Sequence, residues 1–227
     1  MSDAVMQRGF RPAQRLIDLA NAVRATPDLP RSALADLLAR HGESPGELTE
    51  RAFSEADAEE LRSAVVRITG ILVGNGAAGG GAIGDGAEGE GANGDGFAAG
   101  AGTDAAAESS GADDVGTDLA AHAINVLLAE CGARPHLSRH GGHAWHLHVD
   151  RGEDAGWADW FLASSAVALA QILTEYGRVT WGECAASRCA TLYLGTGPGS
   201  ARRYCSAACA SRERVAAHRR RRRAGAE

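Results

Sequence analysis

The sequence contains no lysine, few aromatic residues and no long hydrophobic run. All 23 basic residues are arginine, and aromatic residues make up 5% of the chain. No apolar run approaches the ~20 residues that a membrane-spanning helix needs, and no secretory signal is recognised. We therefore expect a soluble protein of the reducing cytoplasm, where cysteines remain thiols or bind metals. Hydrophobic residues make up 44% of the 227 residues, which is enough for a folded core.

The charges are distributed unevenly along the chain. From Cys184 onward there are ten arginines and two acidic residues, which gives a local charge of +8. The preceding 183 residues carry a charge of −14. A basic end on an acidic body is typical of a segment that binds polyanions, and it could equally fold back on its own acidic part.

The first third of the sequence predicts three helices. Apolar residues at helical spacing place the first at 12–25, before Pro27, and the second at 31–41, with Gly42 beyond its C-terminus. Ser54 is predicted to cap the third, whose buried stripe recurs at helical spacing.

Residues 74–116 have a different composition from the rest of the chain. They include 15 glycines, 12 alanines and eight acidic residues, and no arginine. Such a segment cannot bury enough apolar surface to offset the entropy lost on ordering. We interpret it as a disordered Gly/Ala-rich insertion.

Regular structure is predicted to resume at Thr117, as the N-cap of a helix that ends at Gly132. Two alternating runs around Gly141 and Gly142 predict a β-hairpin. A long helix with a wide apolar face is expected over 155–176.

Five histidines crowd the predicted hairpin. They are His136, His140, His143, His146 and His148. The last two lie two residues apart on one strand face and could chelate a metal. We favour a polar strand face, because no carboxylate lies at a recognisable metal-ligand spacing.

Enzymatic activity is not expected. The sequence has no nucleophile elbow, no His-Glu-x-x-His motif and no usable acid pair. Treble-clef nucleases use a hairpin histidine, but none occurs from Cys184 to Arg214, and His218 comes too late. Cys131 is interpreted as a core residue at a helix end rather than a redox sensor.

Four cysteines form two close pairs near the end of the sequence. They are Cys184, Cys189, Cys205 and Cys209. Four soft donors on two short clips suit one tetrahedral zinc ion, which would be structural because no position remains for water. Two disulfides are the alternative, but a reducing compartment disfavours them.

A knuckle, a hairpin and a helix are predicted to carry these cysteines. The hairpin would pair a strand at 190–194 with a return strand at 201–204. Ser206 would cap the helix, with Cys209 in its first turn. This order of elements is treble-clef-like.

The same segment resembles the CGNR zinc finger, a bacterial module found at the C-terminus of transcriptional regulators. The similarity lies in the C-x4-C pair, the SARRYC run at 200–205 and the last cysteine. In that family the last cysteine begins a Cys-Gly-Asn-Arg tetrad. Here Ala210 and Ser211 replace its two middle residues, while Cys209 and Arg212 match.

The region before the finger is similar to the ABATE domain of stress-induced transcription regulators. The similar residues include the Trp-His-Leu-His run at 145–148 and the helix that begins near Trp157. The resemblance implies an ABATE-like domain over 10–179, interrupted by 74–116, and a finger over 180–223.

Together these features predict an α+β protein with a mostly helical N-terminal domain, one β-hairpin and a C-terminal zinc finger. The resemblance implies a DNA-binding regulator, whose body would sense a small-molecule or protein signal or form a homodimer. A finger that docks on protein or RNA is the alternative function. The candidate DNA contacts are the arginines of the finger: Arg202, Arg203, Arg212, Arg214, Arg219, Arg220, Arg221, Arg222 and Arg223.

Overall fold

The computed structural model describes residues 11–74, 104–138, 145–149, 155–195 and 202–224. Within these ranges the chain forms six helices and two small antiparallel sheets. The helices are α1 (Arg11–Ala25), α2 (Arg31–Arg40), α3 (Glu55–Gly74), α4 (Asp104–Glu130), α5 (Trp157–Tyr176) and α6 (Ala207–Ala224). The strands are β1 (Pro135–Ser138), β2 (His146–Val149), β3 (Trp181–Glu183) and β4 (Leu192–Leu194). The predicted α+β class is confirmed.

Local sequence signals account for the ends of the first helices. Gly42 follows α2 with a φ of +101°, a conformation that glycine adopts without steric cost. Ser54 Oγ accepts a hydrogen bond of 3.2 Å from the Asp57 backbone N–H, and Ser54 N–H donates to the Asp57 carboxylate at 2.7 Å. This reciprocal pair is a capping box and confirms the predicted start of α3.

Helix α4 begins at Asp104, thirteen residues before the predicted cap at Thr117. Alanine has the highest helix propensity, and an alanine run follows Asp104 directly. The predicted insertion therefore ends in helix, and its residues 75–103 lie outside the described ranges. The buried face of α4 holds Ala120, Ile124 and Leu127.

The main core lies where α5 packs against α3, α4 and α1. Trp157 packs edge-on against both Phe53 and Trp160, with ring centroids 5.1 and 5.5 Å apart. Its indole Nε1–H donates to the Ala52 carbonyl at 2.8 Å. The apolar face predicted for the long helix is thus the surface of α5 on which α1, α3 and α4 pack.

One charged side chain, Arg15, is buried in this core with only 5% of its surface exposed. It donates to a Glu43 carboxylate oxygen at 2.9 Å and to Ser164 Oγ at 2.7 Å. Its guanidinium carbon lies 4.0 Å from the centre of the Trp160 ring. Burial lowers the pKa of Arg15 to about 10, while Glu43 opposes that shift.

Strands β1 and β2 pair antiparallel, with Pro135 opposite Val149. Their predicted Gly-Gly turn lies outside the described residues, as do His140 and His143. Val149 is buried, but Trp145 is 66% exposed. The sheet thus contacts the body through one end of its apolar face.

None of the helices that the structure describes has both the length and the apolar composition needed to span a bilayer.

Candidate metal centre

The four cysteines of the finger lie in one cluster, with their sulfur atoms all within 4.8 Å of one another. The sulfur of Cys205 lies 3.7 Å from that of Cys189 and 3.6 Å from that of Cys209. Zinc–sulfur bonds of about 2.3 Å in a tetrahedron place neighbouring sulfurs about 3.8 Å apart. Each cysteine is a free thiol. The geometry therefore suits one zinc ion, and none of these sulfurs is joined to another as a disulfide.

The first two cysteines sit in the loop that joins β3 to β4. Cys184 directly follows β3, and its N–H donates to the Thr191 carbonyl at 2.9 Å. Cys189 N–H donates to the Ala186 carbonyl at 3.0 Å and closes a tight turn. The hairpin thus holds this pair at its tip.

The second pair is positioned by the start of α6. Ser206 Oγ accepts a hydrogen bond of 3.2 Å from Cys209 N–H, which confirms the predicted N-cap. Cys209 lies in the first turn of α6 and is buried. Cys205 precedes the cap and is linked to the first pair, because its N–H donates to Cys184 Sγ at 3.3 Å.

The predicted return strand at 201–204 is wrong. Strand β4 pairs with β3, which precedes the first cysteine, and residues 202–204 form no strand. The pairing follows from burial, because Trp181 in β3 and Leu192 in β4 both belong to the body's core. The Arg203 carbonyl instead accepts one hydrogen bond, of 2.9 Å, from the Ala185 N–H.

The surroundings of three of the thiols shift their pKa values in different directions. Hydrogen bonds from Thr191 lower the pKa of Cys189 to about 6. Removal from solvent raises the pKa of Cys205 to about 12. The Ser206 hydroxyl lowers the pKa of Cys209. Because a metal binds thiolates, its arrival must displace a proton from Cys205 at neutral pH.

Two of the arginines predicted to contact DNA are engaged inside the finger. Arg202 donates from Nε to the Tyr204 carbonyl at 2.8 Å and from Nη2 to the Cys205 carbonyl at 2.6 Å. The Tyr193 hydroxyl donates in turn to the Arg202 carbonyl. Arg212 donates from Nη2 to Cys209 Sγ at 2.9 Å.

The other candidate arginines are exposed, as Arg202 and Arg212 are too. Arg203 lies in the segment before Cys205, and Arg214 donates to Ser211 Oγ at 3.1 Å. The run from Arg219 to Arg223 occupies the last turns of α6. What separates Arg202 and Arg212 from the other candidates is their hydrogen bonds to atoms of Cys205 and Cys209.

The Glu213 carboxylate ties α6 to the loop between β3 and β4. Glu213 accepts hydrogen bonds from the Ser187 N–H at 2.9 Å and from Ser187 Oγ at 2.8 Å. These bonds lower the pKa of Glu213. Glu213 lies four residues after Cys209, so one face of the helix carries both the metal ligand and this tether.

The finger is also fastened to the body, through a residue that sequence reasoning missed. Asn21 of α1 donates to the Leu192 carbonyl at 2.9 Å and accepts from the Leu192 N–H at 2.8 Å. Arg24 pairs with Glu183 at 3.1 Å. The signal available in the sequence was an amide side chain next to the apolar residues Leu19 and Ala20. An amide can hydrogen-bond both the N–H and the C=O of a residue at a strand edge.

Comparison with protein families assigns this segment. Residues 181–222 match the model of the CGNR zinc finger, a range that begins in β3 and ends in α6. A search of curated proteins finds no match to the chain. The family match and the sulfur geometry agree that the four cysteines form a cluster suited to one zinc ion.

Proposed function

We propose that the protein is a DNA-binding transcriptional regulator of the ABATE–CGNR type. The observation that carries this proposal is the placement of α6, whose first turn contains a metal ligand and whose last turns present five consecutive exposed arginines. A helix fixed at one end by a metal centre can offer a stable positive surface to a phosphate backbone.

The zinc has a structural part in this proposal. Four thiolates would fill its tetrahedral coordination and leave no position for water or substrate. When bound, the ion supplies a cross-link between the β3–β4 loop and α6. That cross-link sets the direction in which the arginines project.

The arginines that do not bond to the zinc-ligand cysteines, Arg203, Arg214 and the run at 219–223, are the best candidates for DNA contact. Guanidinium groups bind phosphate oxygens in a bidentate manner and can read guanine edges. Arg203 and Arg214 lie close to the cysteine cluster, where the backbone is held firmly. The run at 219–223 lies farther away and suits contacts with phosphates that do not depend on sequence.

The helical body would supply the signal or the dimer contact. The sequence resemblance to the ABATE domain, carried by the run at 145–148 and the helix that begins near Trp157, is the basis for proposing a role in a bacterial stress response in the cytoplasm. The body also has an open groove of about 600 Å³, lined by Leu128, Leu147 and Val167 together with Gln171 and Glu175, which is the candidate place for a small-molecule signal.

The test is binding of the zinc-loaded protein to duplex DNA across a salt series, starting near ~0.15 M, where weak phosphate contacts fade. Replacing all five arginines at 219–223 by Gln should weaken binding to every sequence. The slope of log affinity against log salt should become shallower by about 0.9 for each phosphate that the variant no longer neutralises. Arg40→Gln and Arg51→Gln, in exposed positions of the body, are the matched controls. Absence of measurable affinity at moderate salt contradicts the proposal.

The second candidate function is an interaction module that docks on a protein or on RNA. Its support is the engagement of Arg202 and Arg212 within the finger, which leaves fewer guanidinium groups to read bases. Binding to single-stranded RNA or to a protein, with no retention of duplex DNA, would favour this function.

A further inference from the structure

Arg212 and Cys209 lie three residues apart on α6, a spacing that places both side chains on one face of the helix. Arg212 is exposed as a whole, yet its Nη2 reaches to 2.9 Å from Cys209 Sγ. The distance is short for a nitrogen–sulfur contact, and the donor carries a full charge. The contact therefore joins a permanent cation directly to a proposed zinc ligand.

The other sulfur contacts in the described part of the finger come from neutral groups. Cys184 Sγ accepts from the Cys205 backbone N–H at 3.3 Å. Cys189 Sγ lies 3.3 Å from the Thr191 hydroxyl. Arg212 thus differs from these partners in both its charge and its shorter distance.

A centre with four thiolates and one Zn²⁺ has a net charge of −2. Donors around such a centre offset that charge and fix the orientation of each ligand. A guanidinium N–H on a sulfur also occupies electron density that an electrophile would attack. Cys209 is the ligand contributed by α6 itself, so its bond to the metal would hold the helix in place together with the Glu213–Ser187 hydrogen bonds.

We propose that Arg212 is a positioning residue of the zinc centre, which holds the Cys209 thiolate on the metal. This role goes beyond the proposed DNA binding and does not depend on it. It rests on the hydrogen bond to sulfur and on the fit of the four cysteines to zinc. Arg212 is then a structural partner of the metal rather than a residue that reads bases.

The test is zinc affinity, measured by competition with a chelator in the full-length protein without DNA. Arg212→Gln is expected to weaken zinc binding about 10-fold, the lower end of the effect of losing an outer partner of a metal ligand. Arg214→Gln is the matched control, because it removes the same charge from the same helix but its side chain bonds to Ser211 Oγ. The control should leave zinc affinity nearly unchanged.

A second readout uses Co²⁺ in place of zinc, because its visible spectrum reports tetrahedral thiolate coordination. Each variant should show that spectrum, so that weaker affinity reflects the contact and not loss of the fold. Arg212→Lys keeps the charge but not the planar fork, and its affinity should fall between wild type and Arg212→Gln.

Two results would overturn the proposal: wild-type affinity in Arg212→Gln, or an equal loss in Arg214→Gln. If Arg212→Gln does not form the tetrahedral centre at all, Arg212→Lys is compared with Arg214→Lys. A larger loss in Arg212→Lys then supports the role, and equal losses reject it. Since no DNA is present, the outcome is separate from the outcome for DNA binding.

Discussion

The helical body and the C-terminal finger differ in what lies at their centres. The body is built around large apolar side chains, among them Phe53, Phe161 and Leu169, which are fully buried. The finger's own cluster is small and consists mainly of its cysteines, with Ala186 and the partly buried Tyr204. Apolar burial can stabilise the first region, whereas the second has too little of it and needs a metal cross-link.

The boundary between the two regions does not follow the boundary in the sequence. The family match begins at Trp181, yet Trp181 and Leu192 are buried in the body's core. The Asn21 amide holds the backbone of Leu192 from both sides. The hairpin of the finger is therefore supported by the body, and α6 is the part that depends on the metal.

Removing the metal gives the largest expected effect on this division. Zinc binding to four thiolates is worth about 10–16 kcal/mol in small fingers. We expect Cys205→Ser to abolish stable zinc binding and to unfold the segment from residue 202 to α6. The amides of α1, α5 and β3 should stay protected, because their core contains none of the zinc ligands. Hydrogen exchange read by mass spectrometry measures both regions in one experiment.

Cys131→Ser is the matched control for this change, because Cys131 lies at the end of α4 and outside the cysteine cluster. It should keep one zinc per chain and full protection of α6. Loss of protection in α5 after Cys205→Ser would show that the two regions fold as one unit.

Replacing a buried leucine of the finger by alanine should lower the stability of the body more than replacing an exposed leucine of the body itself. Leu192 is 1% exposed and Leu137 is 67% exposed. Leu192→Ala should lower the free energy of unfolding by about 2–5 kcal/mol, because it leaves a cavity in the main core. Leu137→Ala should have little effect. Denaturant unfolding with zinc in excess measures both, and equal effects would contradict the shared core.

The helical body was predictable from the sequence because its signals are local. The stripe of α3 and the Ser54 cap both depend on residues a few positions apart. The cysteine cluster was predictable for a similar reason, since four thiols on two short clips have few ways to meet one metal.

The features that sequence reasoning missed depend on contacts between distant segments. β4 pairs with β3 because Trp181 and Leu192 share a core with α1, a fact that spacing within the finger does not contain. The start of α4 was missed because glycine content around the segment hid a short alanine run. Arg212 was predicted as a DNA contact, and the hydrogen bond from its Nη2 to Cys209 Sγ is a further contact that the sequence pattern did not predict.

Replacing glycine by alanine should have opposite effects on stability in the finger and in the body. At Gly195, which follows β4, a Cβ atom would lie 2.9 Å from the Thr180 carbonyl oxygen and 3.1 Å from Arg202 Cβ. Because a backbone oxygen cannot move away cheaply, Gly195→Ala should destabilise the protein by about 1–3 kcal/mol. At Gly70, inside α3, nothing lies within 4 Å of the added Cβ. Gly70→Ala should stabilise it by about 0.5–1 kcal/mol, because glycine is a poor helix former.

The measurement is the denaturant midpoint of each variant at one fixed zinc concentration, with unchanged denaturant dependence as the check on cooperative unfolding. A stabilising Gly195→Ala would show that the junction between β4 and residue 202 has room to adjust. The finger would then pack less tightly against the body than the distances to Thr180 and Arg202 indicate. A destabilising Gly70→Ala would instead contradict the open surface at this position of α3.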